Sequence, residues 1–324
     1  VHLCMQDRLW DGIQRDRLVW LGDMHPETTV IASVFGEQGI VADSLDFVRD
    51  QTPLPRWMNG ISSYSLWWVI IHSSWYWHHG NKAYLEQQRD YLVALLKQML
   101  DQIGDDGRER MGEGRFLDWP SSEDKAAVHA GLHALLLIAL REGAKLCAII
   151  GEKDMNAQCA AGCARLSTYK PPLGKSKQAA ALCALAGLYT PEEVNTQVLA
   201  KAPLSGVSTF YGFYVLQARA AAGDYAGCLE VIRNYWGAML DMGATTFWED
   251  FDLEWTKGTV PITELVPEGR KSIHADFGNY CYKGLRHSLC HGWSGGPAAW
   301  LIEHVLGFNA IEPGCAVVRI APHL

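Results

Sequence analysis

KAYLEQQRDYLVALLKQMLDQ, residues 82–102, sets the rhythm of this chain. Leu85, Leu92, Leu95, Leu96 and Met99 recur at helical spacing. The stretch therefore reads as an amphipathic helix, opened by Asn81 and stopped by Gly104-Asp105-Asp106-Gly107. The same signature repeats on both sides. Residues 64–79 are aromatic and apolar around much of the helix circumference. Ser121 or Ser122 caps a further helix, with Glu123 and Asp124 in its first turn and the apolar face HALLLIALREGAKLCAII at 133–150. Residues 154–168, 175–187, 191–200, 208–222 and 224–240 continue the pattern, and Pro191 followed by Glu192 and Glu193 makes a good helix start. The breakers Gly151, Pro171-Pro172, Gly187 and Gly223 leave only short connections, which make successive helices antiparallel neighbours. The fold class is all-α, a series of helical hairpins that either closes into a toroid or stays open as a solenoid.

Two stretches break the rhythm. Residues 104–121 are Gly-rich and contain Phe116-Leu117-Asp118-Trp119-Pro120. Residues 241–296 hold Trp248, Glu249, Trp255, His274, His287, His291 and Trp293 among Gly and Pro. Long loops carrying aromatic and ionisable side chains in a helical protein are where function is expected. The last residues, CAVVRIAPHL, alternate like a strand. The expected organisation is one helical domain over 1–310, with 311–324 leading into a C-terminal β-sandwich.

Composition narrows the partners. The 324 residues carry 28 basic and 36 acidic side chains, a net charge of −8, with no Lys/Arg-rich tract, so nucleic acid and anionic membranes are poor partners. No apolar run approaches a membrane span, and no signal peptide is visible, which leaves periplasmic, secreted and cytoplasmic locations all open. Nine scattered cysteines fit free thiols better than a disulfide framework, and no zinc-like ligand series is present, so no metal is expected. Thirteen Trp, twelve Tyr and nine Phe are the unusual numbers; aromatic faces stack against the C–H-rich faces of sugars.

The charge cluster WDGIQRDRLVWLGD, residues 10–23, is either a solvated turn or half of a carbohydrate site. A glycosidase needs two carboxyl groups, one to protonate the leaving oxygen and one to activate water or attack directly. Asp11, Asp16 and Asp23 are candidates on one side, Glu249 or Asp250 on the other, and Asp118 beside Trp119 is an outsider. Clustered Asp residues resist shared ionisation, and Arg15 and Arg17 can orient them or bind hydroxyls. His291 can be a base, a metal ligand or a hydroxyl donor. Ser288, Ser294 and Cys290 are possible nucleophiles, although GxSxG is absent and no GKS/T follows GWSGG.

DGIQRDRLVWLGD at 11–23, DW at 118–119, GATTFWE at 243–249 and SLCHGWSGGPAAWL at 288–301, in this order, resemble the catalytic domain of the α-L-rhamnosidases of glycoside hydrolase family 78. The resemblance implies an (α/α)6 barrel of six helical hairpins, with β-sandwich modules flanking it in the full-length protein. It implies an inverting exo-glycosidase that removes terminal α-L-rhamnose and needs no dissociable cofactor. The general acid falls at Asp16 and the general base at Glu249. Asp11, Arg15, Trp20 and Asp23 match residues around the sugar, and Trp119 and His291 match further walls of its pocket. Trp67, Trp68, Trp75 and Trp77 are placed as plausible aromatic sugar contacts. Members of that family carry Glu at the acid position within RDERLGW. This chain reads RDRLVW, one residue shorter, with Asp one methylene shorter than Glu. Two other classes compete. One is another helical-toroid sugar enzyme, an unsaturated glycuronyl hydrolase or a polysaccharide lyase. The other is a non-catalytic carbohydrate-binding module.

Overall fold

A computed structural model describes residues 1–323, so Leu324, the end of the expected C-terminal strand region, lies outside the described residues. The helices are α1 (Leu21–Val34), α2 (Gly39–Gln51), α3 (Ser62–His79), α4 (Lys82–Gln87), α5 (Arg89–Leu100), α6 (Lys125–Ile150) and α7 (Lys153–Leu166). They continue with α8 (Lys177–Leu185), α9 (Pro191–Val194), α10 (Gly212–Ala221), α11 (Tyr225–Val231), α12 (Gly237–Asp241) and α13 (Gly296–Trp300). π-helical turns extend α9 through Asn195–Leu199, join α11 to α12 through Ile232–Trp236, and extend α13 through Leu301–Val305.

The helices fall into two classes by burial. α3 buries Ser62–Ser73 without a break, and α8 is buried from Lys177 to Ala184. Helices apolar all round belong inside. By contrast, α5 buries only Leu92, Leu95, Leu96 and Met99, and α7 only Met155, Cys159, Gly162 and Leu166, the single stripe of an outer helix. The inner helices form a circuit: α1 packs on α3, α3 on α6, α6 on α8, α8 on α10, α10 on α13, and α13 returns to α1. In an open solenoid each repeat touches only its neighbours, so contact between the first and last inner helices excludes that alternative. The architecture is predominantly helical, with packing consistent with a toroid.

Local chemistry explains the boundaries. Asp124, rather than Ser121 or Ser122, caps α6: its carboxylate accepts from the amides of Ala126 and Ala127 at 3.0 Å each. Asp124→Ala is expected to cost about 1 kcal/mol, read as a lower urea midpoint with unchanged slope. On α6, the place of a Cβ on Gly131 lies 2.3 Å from Leu117, so the absence of a side chain there lets the 104–121 loop close onto the helix. The single helix expected over 82–102 is two, broken at Gln88. The buried Gln88 side chain turns to Asp46 and Arg49 of α2, where its amide finds the partners its burial requires. Helices α1, α2 and α13 were not read from the sequence as elements; α1 begins inside the charge cluster and carries Pro26 in its interior.

Beyond α12, residues 242–295 form a long connection whose only strands are Thr259–Val260 (β1) and Lys271–Ser272 (β2), a short parallel pair. After α13, Phe308–Ala310 (β3) pairs antiparallel with Val318–Ile320 (β4), and Trp77 Nε1 donates to the Ala310 carbonyl at 3.1 Å. The nine cysteines are free thiols. Among the described residues no helix is long and apolar enough to cross a membrane.

Candidate active site

The segments that precede α1, α3, α6 and α13 meet with the 242–295 connection around a cavity of about 380 Å³. That volume lies in the range of small-molecule sites. The cavity is lined by eight of the residues singled out in the sequence: Asp11, Arg15, Asp16, Trp20, Asp23, Trp119, Glu249 and His291. They come from four separate stretches of the chain.

Two loops are zipped together to bring them there. Gly12 and His291 form a β-bridge, the Gly292 amide donates to the Asp11 carbonyl at 2.7 Å, and Arg15 Nε donates to the Arg286 carbonyl at 2.9 Å. A Cβ on Gly12 would lie 2.8 Å from the Cys290 carbonyl and 2.9 Å from His291 Nδ1, so only glycine allows this approach. Glu249 is fixed at the backbone. Its amide donates to the Ser288 carbonyl at 2.9 Å, and its carbonyl accepts from Trp293 Nε1 at 2.8 Å and from Thr209 Oγ1. Its carboxylate accepts from the Ser288 amide at 3.1 Å and from Arg15 Nη2.

Arg15 is the hub. One terminal nitrogen pairs with Glu249 and the other with Asp16, at 2.9 Å, while the guanidinium lies over the ring of Tyr282 at 4.7 Å. Asp16 and Arg17 both have left-handed backbone, φ 53° and 55°, a rare conformation for residues with side chains. The turn they form carries Asp16 to the cavity.

Burial runs in a gradient. Asp11, Asp23, Tyr64, Glu249, Tyr282, His291 and Trp293 form a buried floor, while Asp16, Arg115, Cys281 and Arg286 are the exposed rim. Charge on the floor is suppressed. Burial pushes the Asp11 carboxyl up to about 7, against the opposing pull of His291, and Asp23 up to about 8. Burial likewise raises Glu249, with His291 and Arg15 pulling it back down, and lowers His291, which favours the neutral imidazole. Asp23 accepts from Tyr64 Oη at 3.2 Å and meets His291 Nε2 at 3.1 Å. Asp11, Asp23 and His291 each bring a donor or acceptor within 4.8 Å of one another, a set that suits several hydroxyls of one uncharged ligand or a metal ion. The raised carboxyls bind more protons in the folded than in the unfolded chain between about pH 4 and pH 8, so their contribution to stability falls as pH rises through that window, while the buried neutral histidines act in the opposite sense below about pH 6.5. Above the range where the histidines titrate, the melting temperature is expected to fall from about pH 7 to about pH 8.5, and Asp23→Asn to flatten the decline.

Other candidates lie elsewhere. Asp118 does not line the cavity; it is buried, accepting from the Trp119 amide at 2.9 Å and from Ser208 Oγ. Asp250 accepts from the amides of Phe251 and Asn279. Arg17 donates to the Ile13 carbonyl. Ser288 and Ser294 donate to the carbonyls of Cys290 and Trp248, which occupies their hydroxyls. Trp67, Trp68, Trp75 and Trp77 are not in the cavity: α3 turns the first three into the core, and Trp67 and Trp77 line a separate cavity of about 490 Å³ at the other end of the inner helices. Tyr64, Arg115, Tyr282 and Arg286 line the site without having been singled out. Each comes from a stretch whose local pattern is helix or loop, and only the closure of the ring brings them together.

No protein-family model and no curated protein sequence matches the chain. Solved structures do. The GH78 family rhamnosidase of Bacillus sp. GL1 superposes with a TM-score of 0.78 at 25% identity, over 99% of this chain and 35% of its own length. The rhamnosidase from Klebsiella oxytoca with rhamnose bound gives 0.73 at 22% identity, over 92% of this chain and 60% of its own. The Streptomyces avermitilis α-L-rhamnosidase complexed with L-rhamnose gives 0.69 at 17% identity, over 98% and 31%. The chain thus spans between about a third and three fifths of these proteins. It is a structural relative of the GH78 and six-hairpin rhamnosidases, and the likeness supports a related catalytic domain of glycoside-hydrolase type.

Proposed function

We propose that this chain is the catalytic domain of an inverting exo-glycosidase that hydrolyses terminal α-L-rhamnosyl residues, with Asp16 as general acid and Glu249 as general base. The carrying observation is the single cavity in which one carboxylate sits on the exposed rim and the other on the buried floor, joined through Arg15.

The gradient of burial supports this division of roles. A terminal sugar enters the blind end, so the rest of the substrate stays at the rim. Asp16, at the rim, is on the leaving-oxygen side. Glu249, on the floor, is on the side where water must attack. Inversion requires these two positions on opposite faces of the sugar. Glu249 has to be ionised to take a proton from water; the Arg15 guanidinium beside it serves that state and fixes its orientation. Asp11, Asp23 and His291 then exchange hydrogen bonds with the sugar hydroxyls. Trp20 and Trp119 supply apolar faces, and Trp119 is held by Tyr282 Oη at 2.6 Å. No dissociable cofactor enters this scheme.

The finer architecture belongs to the same proposal: an (α/α)6 barrel built on the six inner helices, with 1–310 as the catalytic domain. Residues 311–324 lead into a β-sandwich, and β-sandwich domains flank the barrel in the full-length protein.

A lyase would need a Tyr or His as base. Tyr64 and Tyr282 are raised well out of range by burial, and their hydroxyls are engaged with Asp23 and Trp119. One observation favours a binding module instead: Asp16 rests on Arg15 rather than standing free. A panel of aryl glycosides separates the readings. Turnover of the α-L-rhamnoside supports the hydrolase, whereas calorimetric binding of rhamnose without turnover of any member supports the binding module.

A further inference from the structure

The rim of the cavity carries two guanidinium groups besides Arg15, and they are not equivalent. Arg115 is neutralised by a forked pair with Glu109, at 2.5 and 3.0 Å, and also donates to the Met111 carbonyl. Arg286 also lines the cavity and is exposed, yet its guanidinium makes no hydrogen bond or ion pair among the described residues. Its backbone is nevertheless tied to the site, because its carbonyl accepts from Nε of Arg15, the residue that joins the two carboxylates. In a chain of net charge −8, a cation without a protein partner thus extends from a residue whose backbone is held beside the reacting groups, on the side where the leaving part of a substrate must lie. Asp16, the rim's acid, is already occupied by Arg15.

We propose that Arg286 recognises an anionic group on the residue that bears the terminal sugar, so that the preferred substrates are acidic glycans rather than neutral glycosides. A guanidinium matches the planar fork of a carboxylate and the oxygens of a sulfate ester, so the shared chemistry is an oxyanion within reach of the glycosidic bond. The interaction lies on the leaving side of the scissile bond. It therefore selects between substrates without touching the buried floor. This inference rests on the hydrolase reading above.

The test compares kcat/KM for three substrates with the same terminal α-L-rhamnose: one linked to a uronic acid, one to the methyl ester of that uronic acid, and one to a 6-sulfated hexose. Each is measured with the wild-type chain and with Arg286→Gln. An exposed guanidinium–oxyanion pair is expected to favour the uronate over its ester by about twofold to fivefold, a ratio that Arg286→Gln brings close to one and that added salt reduces. Preference for the sulfated substrate alone assigns the oxyanion to a sulfate ester, and preference for the uronate alone to a carboxylate. Equal rates on all three, or a ratio unchanged in Arg286→Gln, would overturn the inference while leaving the hydrolase reading intact. Failure to cleave any of the three, or an aryl α-L-rhamnoside, counts against the hydrolase reading itself.

Discussion

Glu249→Gln is expected to lower turnover of an aryl α-L-rhamnoside by about three orders of magnitude or more while leaving the protein folded. Glutamine keeps the size of the side chain and one carbonyl oxygen, so it can still accept from either Arg15 or the Ser288 amide. It cannot take a proton from water. The backbone clamp on residue 249, from Ser288, Thr209 and Trp293, does not involve the side chain and survives the change. Arg15 keeps Asp16 as a partner, so no buried cation is stranded. A fall in melting temperature of a few degrees, with circular dichroism unchanged, is the expected structural cost. Turnover near the wild-type rate in a folded Glu249→Gln chain would remove Glu249 from the mechanism.

The second large effect is conditional on the leaving group. Asp16→Asn removes the proton donor at the rim, and substrates with poor leaving groups are expected to slow by about two to four orders of magnitude. A dinitrophenyl rhamnoside, whose leaving phenolate needs no proton, is expected to be cleaved at close to the wild-type rate. A structural defect would slow both substrates alike, so the contrast isolates the acid role. The same comparison bears on the shortened loop. Two consecutive residues with left-handed backbone form the turn that carries Asp16 at the cavity, and its side chain is one methylene shorter than a Glu would be. A misplacement of that order can cost a large factor in rate unless the backbone compensates.

Much of this was legible because two signals were strong. Helical periodicity with short breakers gave the hairpins, and the interior position of α3 follows from its lack of a polar face. That same lack explains why its tryptophans looked like sugar contacts: an aromatic run does not say whether it faces a ligand or a core, and here α3 is an inner helix. The eight candidate residues share one cavity because their motifs all fall where chain segments enter inner helices or cross the open end of the ring. Tyr64 and Tyr282 were hidden for a different reason. Tyr64 is one residue of a helix that is buried throughout, and Tyr282 sits in CYKGLR, which has no periodicity. Their place at the site depends on contacts with Asp23 and Trp119, 41 and 163 residues away. Closure of the ring was equally out of reach, since it depends on packing between α1 and α13 at opposite ends of the chain. The break at Gln88 coincides with hydrogen bonds from its buried side chain to Asp46 and Arg49 of α2, which no local pattern announces.

The central claim is hydrolysis of a terminal α-L-rhamnoside by two carboxyl groups acting from opposite faces. Proton NMR of the reaction in progress, recorded before mutarotation equilibrates the product, tests it most directly. The account predicts that an aryl α-L-rhamnoside releases β-L-rhamnose first, with the α-anomer growing in only afterwards. Initial release of the α-anomer, or the absence of hydrolysis by the folded chain, would contradict it.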